Sequence, residues 1–223
     1  MFNQEIVKKL QIEAELFLKN SKLVVNGIEI FPKEIEIYYY QKKVFEDGSV
    51  HRNELQSNRP NHFYIHRNGL NCENPYKPRN RAGVDFVISN RDNVYYSYLL
   101  RSAVVADGNP IVGPNNLLKA ISEKSGLSKY SDLENTIVKV EPTDIPYDVL
   151  FSKRINLGKN ANEYSEEDLR AVLCDESFKI SKYSGKEKMI VDFLSKRNRI
   201  GRENACKYAK EYLGYVPKDI KTL

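Results

Sequence analysis

The sequence predicts an α+β fold in which a helix covers a largely antiparallel sheet, and three observations carry that expectation. Ile6, Leu10, Ala14 and Phe17 recur at near-helical spacing, so residues 4–19 form an amphipathic helix. Leu23-Val24-Val25 and Ile28-Glu29-Ile30-Phe31 flank Asn26-Gly27, the pair favoured in a two-residue primed turn, which makes a hairpin. Val84–Ser89 and Val94–Val105 are separated by Asn90-Arg91-Asp92-Asn93, again turn chemistry, and are expected at the centre of the sheet.

The remaining elements follow in chain order. Pro32 is expected to interrupt the hairpin's second strand, because it cannot donate to a ladder, and Ile35–Tyr40 to resume as a third strand. On that strand Glu34, Glu36, Tyr38 and Tyr40 share one face, opposite Ile35, Ile37 and Tyr39. Residues 41–82 are polar and rich in turn formers, with only Phe63-Tyr64-Ile65-His66 strand-like, and a loop of that length is usually functional or mobile. Gly113-Pro114 opens a helix over Pro114–Ser125, closed by Gly126. A turn or short helix at Asp132–Asn135, a strand at Thr136–Val140, and weaker strands at Val149–Ile155 and Ala171–Leu173 come next. Lys186–Ser195 and Arg202–Leu213 then carry apolar residues at helical spacing and form a C-terminal helical pair. The organisation expected is one α+β domain over residues 1–180 and a basic helical extension over 181–223. Between the two helices, Lys196-Arg197-Asn198-Arg199 is a basic turn, read either as solvated charge or as a phosphate contact.

Composition narrows the function classes. With 223 residues, 41% apolar and 29% charged, the chain can bury one substantial core. A mean hydropathy of −0.57 and the lack of any long apolar run argue against a membrane span. The opening Met1-Phe2-Asn3-Gln4-Glu5 lacks the pattern of an export signal, so a cytoplasmic protein is expected. Cys72, Cys174 and Cys206 are widely spaced and odd in number, which suits reduced thiols better than disulfides or a metal clip. A net charge of +5 permits nucleic-acid binding without requiring it. Fifteen tyrosines and no tryptophan supply strand formers and stacking surfaces alike.

Five segments in order carry a resemblance: Glu34-Ile35-Glu36-Ile37-Tyr38, His66, Pro78-Arg79-Asn80-Arg81, Leu99-Leu100-Arg101-Ser102-Ala103, and Gly113-Pro114-Asn115-Asn116-Leu117. Their order and chemistry, spread over residues 10–175, resemble the alkyladenine (3-methyladenine) DNA glycosylase family. The resemblance implies a curved, largely antiparallel sheet with flanking helices, like the C-terminal domain of formyltransferases. It also implies a protein that binds double-stranded DNA, extrudes one nucleotide and needs neither cofactor nor metal; nothing in the sequence demands assembly, so a monomer is expected. By the same resemblance Glu36 would activate water against the sugar carbon, and Arg101 would hold the flipped nucleotide or orient Glu36. Tyr38, His66, Phe86 and Asn90 would contact the base, and Arg67, Tyr76, Arg79, Arg81 and Arg91 the DNA. The family's wedge tyrosine has no direct counterpart here; Arg91 and Tyr76 are the two candidates. His51 and His62 share the loop with His66 and compete for its role. Two other functions fit the same residues: a nucleic-acid-binding module without the reaction, and a small-molecule pocket on the same scaffold.

Overall fold

The computed structural model describes residues 4–67, 82–176, 178, 185–196 and 201–221. Helix α1 (Gln4–Asn20) buries Val7, Leu10, Ala14, Phe17 and Leu18 along one stripe, with Glu5 and Lys19 complementing the helix dipole at its two ends. Strands β1 (Ser21–Val25) and β2 (Ile28–Gln41) meet at Asn26 (φ 46°) and Gly27 (φ 80°). Two consecutive positive φ values are what a type I′ hairpin turn requires.

Pro32 does not end the strand, contrary to the sequence expectation. β2 runs through it, and the irregularity is absorbed as register shifts between Pro32 and Ile35. Pro32 itself stays paired with Ala103, and the residue left out of the β2–β6 register is the next one, Lys33, so the ladder is already irregular beside the proline. Strand β6 (Val94–Val105) pairs with β2 along its whole length, from Ile30↔Val105 to Gln41↔Val94. On its other edge β2 changes partner at the bulge, from β1 to β10 (Arg170–Leu173).

The sheet is open, curved and antiparallel, with helices flanking it. Its order is β4-β5-β6-β2-β1-β8, where β4 is Phe63–Arg67, β5 is Ala82–Val87 and β8 is Lys139–Pro142. Short strands β3 (Phe45–Glu46), β7 (Ile111–Val112) and β9 (Val149–Ser152) pair with β2, β6 and β10 respectively. Strand β8 begins three residues later than the sequence suggests, because the Thr136 N–H and hydroxyl both donate to Asp132 O and close helix α3 (Tyr130–Asn135). Helix α2 (Pro114–Ser125) has the bounds the sequence predicts, with Gly113 and Gly126 at positive φ.

Strand alternation divides the sheet into two faces. Ile35, Ile37, Tyr39, Phe63, Ile65, Val84, Phe86, Tyr98 and Leu100 join α1, α2 and α3 in the main core. Phe17 anchors that contact, stacked on Phe86 at 5.6 Å and tilted against Tyr98 at 4.9 Å. At β9 and β10 both faces are buried: Val149, Ala171 and Leu173 belong to the main core, whereas Leu150, Val172 and Cys174 belong to a second cluster. That cluster is completed by Phe178 and by α4 (Lys186–Lys196), α5 (Arg202–Leu213) and α6 (Lys218–Lys221). Because Val172 pairs with Glu34 and Arg170 with Glu36, the C-terminal helices cover one end of the face that carries Glu36. Over the rest of that face the 49–56 and 155–158 segments border a cavity. Among the described residues no helix is long and apolar enough to cross a membrane.

Candidate functional site

On the sheet face opposite the main core, β2 presents Glu34, Glu36 and Tyr38, and β6 presents Arg101. Glu36 is fully buried and Glu34 nearly so, which demands compensation, since an unpaired buried charge is very costly. Two guanidiniums supply it. Arg101 donates through Nε to Glu34 Oε1 at 3.1 Å and sets Nη1 3.4 Å from Glu36 Oε1, while Arg170 Nε reaches Glu34 Oε1 at 2.7 Å. Glu36 also accepts the Tyr38 hydroxyl on Oε2 at 3.0 Å and the Ile155 N–H on Oε1 at 2.9 Å.

Tyr38 is held in place by Arg154, whose guanidinium lies 4.8 Å from the ring centre. Arg154 is itself buried and fixed by Asp47 Oδ2 at 2.6 Å and by the carbonyls of Ile37 and Tyr164. One ring face of Tyr38 is therefore occupied by the guanidinium. Burial, reinforced by the Glu36 charge against the opposing charge of Arg154, pushes the Tyr38 hydroxyl well above its ordinary 10.0, so it remains a donor.

His66, on β4, pairs with Gly83 on β5. A Cβ at Gly83 would lie 2.6 Å from His66 Cε1 and 2.8 Å from Nε2, so only glycine lets the imidazole lie across the strand. Its Nδ1 is 2.7 Å from Asp85 Oδ2, and Asp85 Oδ1 accepts from Ser97, which accepts from Gln56. Burial, the largest influence on His66, disfavours its charge. The Asp85 carboxylate, the hydrogen bond to it and the charge of Glu36 outweigh burial and Arg101, and hold the imidazole above its ordinary 6.5. His51 sits edge-on to His66 with centroids 5.5 Å apart and meets the Tyr64 hydroxyl at 3.0 Å. Burial, then repulsion from His66, lowers it. The two rings therefore favour opposite charge states.

These groups line one cavity of about 430 Å³. Pro114 and Asn115 at the start of α2 and the Ile155–Gly158 segment complete its wall. Two wall atoms, Ser49 Oγ and Asn115 Oδ1, are buried with no hydrogen-bond partner among the described residues, which is uncommon in a folded protein. A flat cationic ring fits such a place, because carboxylates lie beside an aromatic face. A buried carboxylate with donors on both oxygens can also orient and deprotonate water.

Glu36, Tyr38, His66 and Arg101 thus converge. Phe86 does not: it is buried on the opposite face against Phe17 and Phe63, since its side chain alternates with that of Asp85, so its expected place beside a base is corrected. Asn90 and Arg91 line a separate cavity next to Ile6 and Lys9 of α1, away from Glu36. His62 bonds Pro60 O through Nδ1 and lies outside the main cavity. Arg67 ends β4, but its side chain lies outside the described residues, as do Tyr76, Arg79, Arg81 and the whole Pro78–Arg81 segment. Cys72 and residues 197–200 of the basic turn do too. Sequence reasoning missed Asp85, Gln56, Arg154 and Ile155. For Asp85 a signal existed: an isolated carboxylate with Gly83 in an otherwise apolar strand, Ala82-Gly83-Val84-Asp85-Phe86-Val87. Among the described residues no group of three His, Cys, Asp or Glu is arranged to hold a metal ion. No protein-family model matches the chain, and neither does any curated protein.

Proposed function

We propose that the protein is a DNA glycosylase that hydrolyses the N-glycosidic bond of alkylated purines after base extrusion. The observation that carries this reading is the convergence of Glu36, Tyr38, His66 and Arg101 on one cavity of about 430 Å³, within the usual size range of small-ligand sites. A carboxylate offers roughly four acceptor sites. Tyr38, Ile155 and Arg101 occupy three of these on Glu36, and because the carboxylate has no accessible surface, the water it activates reaches it only as the surrounding side chains part.

In this mechanism Glu36 takes a proton from that water as its oxygen bonds to the sugar carbon. The C–N bond breaks, and its electron pair leaves with the purine, whose positive charge is thereby neutralised. The buried carboxylate also stabilises the oxocarbenium-like sugar. Selection begins before chemistry: extrusion costs a few kcal/mol, least for damaged bases. A cationic base then gains ~0.5–2 kcal/mol against an aromatic face. The free face of Tyr38 is the available one, since Arg154 covers the other.

The test is release of free base from alkylated duplex DNA. Glu36→Gln keeps the side chain's shape and should slow release by about 100-fold or more, with binding to an abasic-site mimic retained. Release at the wild-type rate would remove Glu36 from the mechanism. A second reading, a nucleic-acid-binding module without hydrolysis, is favoured by the complete enclosure of Glu36. It predicts salt-dependent DNA binding with no base release from the wild-type protein.

A further inference from the structure

The face that carries Glu36 and Tyr38 continues past the cavity to Tyr40, paired across the strands with Tyr95. Their rings meet edge to face at 6.0 Å, and the Arg52 guanidinium lies 5.1 Å from the Tyr40 ring centre. Arg52 adopts φ 52°, a left-handed conformation that is disfavoured for a non-glycine residue. Two further concavities, of about 520 and 450 Å³, run along this edge, and His51 forms a wall of both and of the main cavity. The three share lining residues and so adjoin as a trough around His51.

Charge distinguishes its two ends. In the main cavity Glu36 and Asp85 are matched by Arg101 and His66, whereas Lys42, Arg52 and Lys159 line the outer part, where Glu46 is the one carboxylate among the described residues. A chamber of paired charges opening onto a basic, aromatic trough complements a base that is covalently attached to an anionic backbone. We propose that the trough seats the DNA strand immediately flanking the extruded nucleotide, with a base stacked at the Tyr40–Tyr95 edge and phosphates on Lys42, Arg52 and Lys159. This inference rests on the DNA-binding reading above and deepens it.

The experiment uses the full chain and a fluorescein-labelled duplex carrying a tetrahydrofuran abasic-site mimic, with binding followed by anisotropy across a salt series. Lys42→Gln/Arg52→Gln alters two exposed side chains and should weaken binding about tenfold or more and flatten the salt slope by about 2. Tyr40→Leu should weaken it about 5- to 150-fold with the slope retained. Glu46→Gln should tighten it, an effect that misfolding cannot produce. Wild-type affinity and slope in the double variant, or no tightening in Glu46→Gln, overturns the trough even if base release is normal. If the wild-type protein binds with this pattern but releases no base from alkylated DNA, the trough stands and the hydrolase reading falls.

Discussion

Replacing Gly83 by alanine tests the central geometry of the site, because one methyl group is introduced where His66 crosses β5. The new Cβ would lie 2.6 Å from His66 Cε1 and 2.9 Å from Leu99 Cδ1. Ordinary contact begins at 3.4 Å, so the imidazole must retreat by about 0.8 Å. That movement loosens the 2.7 Å bond to Asp85, the chief support of the His66 charge. Overpacking costs ~1–3 kcal/mol, and removing a strand glycine returns ~0.5–1 kcal/mol. A net loss of about 1–2 kcal/mol follows. The raised pKa of His66 contributes stability that is complete below the unfolded value of 6.5 and is lost as pH rises through the folded pKa. In Gly83→Ala that contribution shrinks, so the variant's deficit should be larger at low pH than at high pH. Urea unfolding at several pH values and histidine-ring NMR between about pH 5 and pH 9 measure both effects. An unaltered His66 titration together with wild-type stability would refute the assigned Gly83–His66–Asp85 arrangement.

Three further outcomes are expected. Arg170→Met removes a buried partner of Glu34 and should lower stability by about 3–5 kcal/mol, measured by urea unfolding, because among the described residues Arg101 is then the one guanidinium paired with the two buried carboxylates. Cys174 is fully buried, and burial pushes its thiol up to about 12, so mass spectrometry should find it unmodified by a thiol reagent under native conditions while the partly exposed Cys206 reacts. Gly27→Ala places a side chain at φ 80° and should cost about 1 kcal/mol in thermal unfolding without altering DNA binding.

Local rules made much of this architecture legible. The hairpin at Asn26-Gly27 and the extents of α2 and α5 follow from turn chemistry, capping and helical spacing, all of which act within a few residues. Alternation along β2 likewise placed Glu36 and Tyr38 together on one face, and an arginine in the apolar strand β6 demanded an acidic partner. The same alternation, applied to β5, separates Asp85 from Phe86 and would have removed Phe86 from the site. Pro32 misled because a proline penalises a regular ladder but not a bulge.

The chain by itself therefore determined its helices, its hairpins and which face of β2 is polar, since backbone sterics and side-chain period operate at short range. Only the tertiary structure decided that His51 and His66, but not His62, line the cavity with Glu36, and that Glu34 needs Arg170 as well as Arg101. It also decided that an amide 119 residues away, at Ile155, completes the carboxylate's environment. Such pairings depend on how sheet, loop and C-terminal helices pack around a buried charge, and desolvation leaves that charge unstable until the distant donors arrive together.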